Sequence, residues 1–263
     1  MTSQRPKFPV QLDRSRGLSG GAMRSPLLPS QARPGVAAVQ TSSTRLNRDE
    51  ADPVARRLAM VAKLKAGGIR DPLLLKALAA IERHRFVDTG LANQAYEDTS
   101  LPIGLGQTIS KPNVVARMIE LLREGKTGLL GRVLEIGTGC GYQAAVLSLL
   151  ATEVYSIERL RGLHERAQDS VRPFRLPNLH LLFGDGMLGF AKGAPYAGII
   201  AAAGGEALPS AWLEQLAVGG RLVAPMVTGD GQQALIVVDK TPRGLQQLVL
   251  EAVHFVPLKS GLG

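Results

Sequence analysis

From residue 131 onward, short apolar runs rich in β-branched residues alternate with stretches whose apolar positions recur every three or four residues. The short runs fall near 132–136, 153–157, 179–183, 197–202 and 220–226 and predict strands. The periodic stretches, near 141–150, 160–172 and 209–217, predict helices. Alternation at this spacing predicts an α/β fold with a doubly wound, mostly parallel sheet. Two later runs, 234–238 and 248–253, have no helical stretch between them and predict an antiparallel addition at one edge. The sheet would then have seven strands.

Upstream, Asp52 followed by Pro53 is an N-cap with proline at the first helical position. Val54, Leu58, Val61, Ala62 and Leu64 then share one face, and Gly67 with Gly68 ends the helix. Asp71 and Pro72 repeat the signal for a second helix through about Ile81. Residues 101–112 read as a loop ahead of an amphipathic helix carrying Val114, Val115, Met118, Leu121 and Leu122. Residues 1–50 mix Arg, Ser, Pro and Gly without periodicity and read as a disordered basic tail. The organisation expected is thus a tail over 1–50 and one domain over 51–263. Within it, 51–112 form a helical cap and substrate loop, and 131–263 form the sheet core.

Charge changes this picture little. Eight Arg or Lys against three acids give residues 1–50 a charge of +5, and 23 against 19 give residues 51–263 a charge of +4. The domain is only mildly basic and aromatic-poor, so no nucleic-acid partner is expected. A basic arm for a polyanion is the alternative reading of the tail. Its composition also suits an organelle transit peptide, but it lacks an amphipathic period. No apolar run approaches the roughly 18 residues of a membrane span. The single cysteine, Cys140, can form neither an internal disulfide nor a zinc site, so a reducing cytoplasm and no metal are expected.

The chemistry concentrates where the first predicted strand of the core ends. Gly137, Gly139 and Gly141 follow Val133, Leu134 and Ile136, the pattern of a strand, a tight turn and a helix start. The spacing differs from a dinucleotide fingerprint, with Tyr142 at the later position. Free amides at the helix start would favour an anionic group such as a carboxylate. Glu135, just ahead of the turn, would oppose a pyrophosphate but suits an ammonium. Glu158, ending the next strand, is placed to accept from both ribose hydroxyls of an adenosine. S-adenosyl-L-methionine carries an ammonium, a carboxylate and a ribose diol without phosphate, so electrostatics favours it over NAD. Asp185, between Gly184 and Gly186 after the third strand, is a candidate acceptor for the adenine amino group, or simply part of a turn. In the 101–112 segment, Gln107, Thr108 and Ser110 offer hydroxyls and amides that can hold a carboxylate. On spacing alone Ser110 reads as an N-cap near Pro112.

Together these residues resemble the protein-L-isoaspartate O-methyltransferases. The likeness covers about Asp52 to Gly263 and rests on Gly106 to Ser110 with Pro112, on Val133 to Gly139 with Gly141 to Gln143, and on Ser156 to Arg159. Gly184 to Gly186, Gly219 to Val223, Phe255 to Leu258 and Glu82 with Arg85 to Val87 add weaker support. The resemblance implies a Rossmann-like methyltransferase fold and transfer of a methyl group from S-adenosyl-L-methionine to the free α-carboxylate of L-isoaspartyl residues, initiating protein repair. It implies Ser110 and Thr108 as catalytic, and Glu135, Gly137, Thr138, Gly139, Glu158, Asp185 and Gly186 at the cofactor. Gln107, Ile109, Phe255, Val256, Pro257 and Leu258 would face the peptide, and the enzyme is expected to be a monomer. The chain departs from the family at Cys140, at Ala197 and Ala202 (two polar positions near the cleft), and at His254. The competing readings are a methyltransferase acting on RNA or a small molecule, and a cofactor-binding protein impaired in catalysis.

Overall fold

A computed structural model describes residues 52–229 and 231–263; the expected tail over 1–50 lies outside the described residues. The first helices form as their caps dictate. Asp52 Oδ1 accepts from Val54 N at the start of α1 (Pro53–Ala66), and Asp71 Oδ1 accepts from Leu73 N and Leu74 N at the start of α2 (Pro72–Ala80).

Residues 101–112 are not the plain loop expected. They hold a two-stranded antiparallel hairpin of β1 (Leu101–Gly104) and β2 (Gln107–Ile109), followed by α3 (Pro112–Arg123). Gly104, Leu105 and Gly106 all take positive φ at the tip, and Leu101, Ile103 and Ile109 point into the core. Strands this short have too few residues to show a clear period of two.

The core then alternates as predicted: β3 (Leu130–Ile136), α4 (Tyr142–Ser148), β4 (Ala151–Glu158), α5 (Arg161–Val171), β5 (Leu179–Phe183), β6 (Tyr196–Ala201), α6 (Ser210–Gln215), β7 (Leu216–Val227), β8 (Gln233–Thr241) and β9 (Gly244–Val253). Among the described residues these build one seven-stranded sheet in the order β5-β4-β3-β6-β7-β8-β9, parallel through β7 and antiparallel thereafter. Both faces are covered. Val133 joins a cluster with Leu74, Leu78, Ile119 and Val146, while its neighbour Leu134 joins Ile199, Trp212 and Leu222 on the other side. The chain reverses its winding direction between β4 and β6, on either side of β3. In open α/β sheets such a switch point leaves a crevice at the carboxyl ends of the strands.

Candidate active site

A cavity of about 470 Å³ opens at that switch point, within the size range of small-molecule sites. Its floor is the turn after β3, one wall is the end of β4, and the hairpin residues Gln107, Thr108, Ile109 and Ser110 close it from above. Gly137, Gly139 and Gly141 have φ of 89°, 57° and 90°, which lets the chain turn directly under the cavity. Gly186 also borders it and packs so closely on Ile136 that a Cβ there would lie 2.6 Å from Ile136 Cγ2.

Glu158 is buried at the cavity wall and held from both sides. Its Oε2 accepts from Gly139 N at 2.9 Å and its Oε1 from Leu160 N at 2.9 Å. Each oxygen keeps acceptor capacity for a ligand hydroxyl. The amides of the turn itself are engaged as well. The amides of Gly137 and Thr138 donate to Ile157 O, that of Gly139 to Glu158 and that of Gly141 to Thr138 O. The turn therefore offers the cavity close backbone approach rather than a row of free donors for an anion.

Glu135 departs from expectation more sharply. It is fully buried and lies behind the cavity wall rather than on it. Ser156 Oγ donates to its Oε2 in a very short bond and in turn pairs with Thr138 Oγ1 at 2.6 Å. Oε1 has no hydrogen bond of normal geometry, although the Gln143 side chain is near enough to favour the charged form somewhat. Burial pushes the carboxyl up to about 8, with Glu158 adding to the rise, so its surroundings favour the protonated form. A standing negative charge awaiting an ammonium is thus not what these surroundings provide.

Thr108 and Ser110 line the main cavity and also a neighbouring one of about 350 Å³. Ala202 and Val256 share that double wall, while Phe255, Lys111 and His254 border only the smaller cavity. Pro257 and Leu258 line the main cavity. Ser110 does not cap α3: the N-cap is Lys111, without a side-chain bond, and only the Ser110 carbonyl is engaged, by Arg83. Ser110 itself borders both spaces.

Asp185 does not line the cavity. Its Oδ1 accepts from Met187 N, and its Oδ2 accepts from Gly261 N at 2.6 Å. Its place off the cavity lining leaves the adenine role expected of it without support. Ala202 stands at the cleft as expected, but Ala197 lies at the amino end of β6 beside Gly131, away from it. Composition and spacing did not single out Leu105, Tyr142, Gln143, Arg159, Leu160 or Lys259 as lining residues. The first comes from the hairpin tip, and the others flank turns whose direction a linear pattern does not show. Three histidines lie away from both cavities: His84 Nδ1 pairs with the Tyr96 hydroxyl at 2.7 Å, His164 is buried, and His180 stacks on Tyr155. Among the described residues no cluster of three His, Cys, Asp or Glu could hold a metal.

A carboxylate fixed at a cavity wall suits a ribose diol, and glycines that bring the backbone close suit a nucleoside; the donor set fits S-adenosyl-L-methionine. Comparison with known proteins agrees. The family model described as protein-L-isoaspartate(D-aspartate) O-methyltransferase matches residues 55–263. A protein-L-isoaspartate O-methyltransferase of Methylibium petroleiphilum is 54% identical over 97% of this chain and 96% of its own length. That of Leptothrix cholodnii is 51% identical over 98% of this chain and 95% of its own. A solved protein-L-isoaspartate O-methyltransferase superposes with a TM-score of 0.69 at 29% identity, over 79% of this chain and 67% of that one. A Plasmodium falciparum structure assigned to the same family, in complex with S-adenosyl-L-homocysteine, shares the fold with a TM-score of 0.65 at 22% identity, over 77% of this chain and 98% of that one. By fold, by site and by sequence over nearly its whole length, this chain belongs to the protein-L-isoaspartate(D-aspartate) O-methyltransferase family.

Proposed function

We propose that Ser110 and Thr108 present the carboxylate of an L-isoaspartyl residue to a methyl donor seated over Gly137, Thr138 and Gly139 with its ribose on Glu158. The activity is that of the family: S-adenosyl-L-methionine-dependent methylation of isoaspartyl residues in damaged proteins, the first step of their repair. One observation carries the assignment of roles. Thr108 and Ser110 stand in the wall shared by the nucleoside-sized cavity and the adjoining groove, so a group held there faces both.

When bound, the cofactor supplies an electrophilic methyl carbon on a sulfonium. The acceptor carboxylate, with a pKa near ~4, is ionised at neutral pH and needs no general base. The residues therefore align the acceptor and exclude water, a contribution that can reach about 7–11 kcal/mol. Hydroxyl donors hold the carboxylate without fixing its charge, which matters because charge is lost toward the transition state. Val256, Pro257 and Leu258 wall the site from the far side, and Phe255 shapes the groove that would take the peptide. Gln107 and Ile109 flank Thr108 on the same strand.

The same reading makes residues 51–263 a single catalytic domain acting as a monomer in the cytoplasm, with neither nucleic acid nor membrane as partner. Among the described residues no helix is long and apolar enough to cross a membrane. The test incubates the protein with labelled S-adenosyl-L-methionine and matched peptides containing isoaspartate or aspartate. Label on the isoaspartyl peptide alone is expected. Binding of S-adenosyl-L-homocysteine without methylation of either peptide would instead identify a catalytically impaired cofactor-binding protein.

A further inference from the structure

Arg83 is among the largest fully buried side chains of the molecule, and no carboxylate pairs with it among the described residues. Its Nε donates to Ala95 O at 2.7 Å and its Nη2 to Ser110 O at 2.7 Å, while Nη1 has no partner. The guanidinium lies over the Tyr142 ring, 4.8 Å from its centroid. Three residues on, Phe86 meets the same ring edge-on at 5.5 Å. Tyr142 opens α4 directly after the glycine turn and lines the main cavity. One side chain therefore touches the backbone of the acceptor segment and the helix start on the methyl-donor side.

Burying an unpaired guanidinium is costly, and an apolar side chain of similar volume would ordinarily serve packing better. Burial lowers the Arg83 pKa, with the Tyr142 hydroxyl and Cys140 opposing the fall, and this too reflects an unfavourable site for the charge. What arginine provides here, and an aliphatic residue does not, is a planar fork that fixes two carbonyls in one geometry while stacking on a ring. Arg83 does not line the cavity, so it cannot clamp the acceptor carboxylate directly.

We infer that Arg83 is a positioning residue: it sets the Ser110 carbonyl, and with it the 107–110 segment, against Tyr142 and the donor turn. The inference rests on reading that segment as the acceptor loop. A displacement of about 1 Å at such a loop costs on the order of 100-fold in rate.

The test compares Arg83→Lys and Arg83→Gln with the wild type. Lysine keeps the charge but not the fork. Expected for both is a fall in kcat on an isoaspartyl peptide of about 10- to 100-fold, with the Kd for S-adenosyl-L-homocysteine within about twofold of wild type. Amide hydrogen exchange in the S-adenosyl-L-homocysteine complex should rise over 107–111 and stay unchanged in β3 and β4. An unchanged kcat in the variants, a rate loss matched by lost S-adenosyl-L-homocysteine affinity, or failure of both variants to fold would overturn the inference. The exchange measurement needs no acceptor, so it decides the role of Arg83 even if the wild type leaves the peptide unmethylated; that result would count against the functional reading alone. Unaltered exchange over 107–111 also overturns the inference.

Discussion

The Glu135 carboxyl has exchanged water for one hydroxyl donor and an apolar interior, so its proton stays on well above the usual carboxylate range. The consequence for stability follows from linkage. The folded-state pKa of about 8 lies above the unfolded value of 4.5, so Glu135 contributes stability fully present below about pH 4.5 and lost as pH rises toward 8. Glu135→Gln, which is neutral throughout, should lack this loss. Urea unfolding at pH 5 and pH 9 should show the wild type losing ground to the variant at the higher pH; parallel curves would refute the protonated state. Glu158 sits at the cavity wall with two amide donors. Glu158→Ala should raise the Kd for S-adenosyl-L-methionine by about 100-fold, on the basis of about 1.5–3 kcal/mol per hydrogen bond to a charged group. Calorimetric titration checks this, and an unaltered isotherm would remove the ribose role. Ser110→Ala should lower kcat by about 10- to 100-fold on the same scale, with S-adenosyl-L-homocysteine binding unaffected; lost binding there would contradict the assignment.

Among the elements, the hairpin and the caps show how local and distant interactions divide the work. The α2 start was legible because Asp71 and Pro72 act within their own turn. The same Asp71 also takes Arg123 Nε of α3 at 2.6 Å, a buried pairing across 52 positions that no local pattern reveals. Asp71→Ala should therefore cost more than the roughly 1 kcal/mol of a cap, because it also strands a buried guanidinium. A destabilisation of about 3–5 kcal/mol is expected in urea melts, and a loss near 1 kcal/mol would show that Gly128 O and Leu150 O suffice for Arg123. The hairpin was missed for a related reason. Its three- and four-residue strands are fixed by Leu101, Ile103 and Ile109 reaching a core built mostly by other elements.

Over the whole molecule, every residue lining the two cavities lies between positions 100 and 259, inside the part matched by the family model. More than half of the excess positive charge lies in residues 1–50. A chain starting at residue 51 should keep kcat/KM on an isoaspartyl peptide within about twofold. A collapse of that activity, measured with the labelled-methyl assay, would show that the basic segment takes part in catalysis.

The order and type of the core elements, the antiparallel edge and the glycine turn followed from the sequence, because each depends on a period or a cap acting over a few residues. So did the place of Glu158 and of the Thr108–Ser110 segment, through the resemblance of their motifs to one family. What only the tertiary structure decided was the state and company of each group. Glu135 became a buried acid whose surroundings favour its protonated form, Asp185 an acceptor for Gly261 N, Ala197 a residue away from the cleft, and Arg83 a contact between the Ser110 carbonyl and the Tyr142 ring. Solvation and partnership are set by segments that meet across the sheet and are remote in the chain, and a linear pattern carries no distance between them.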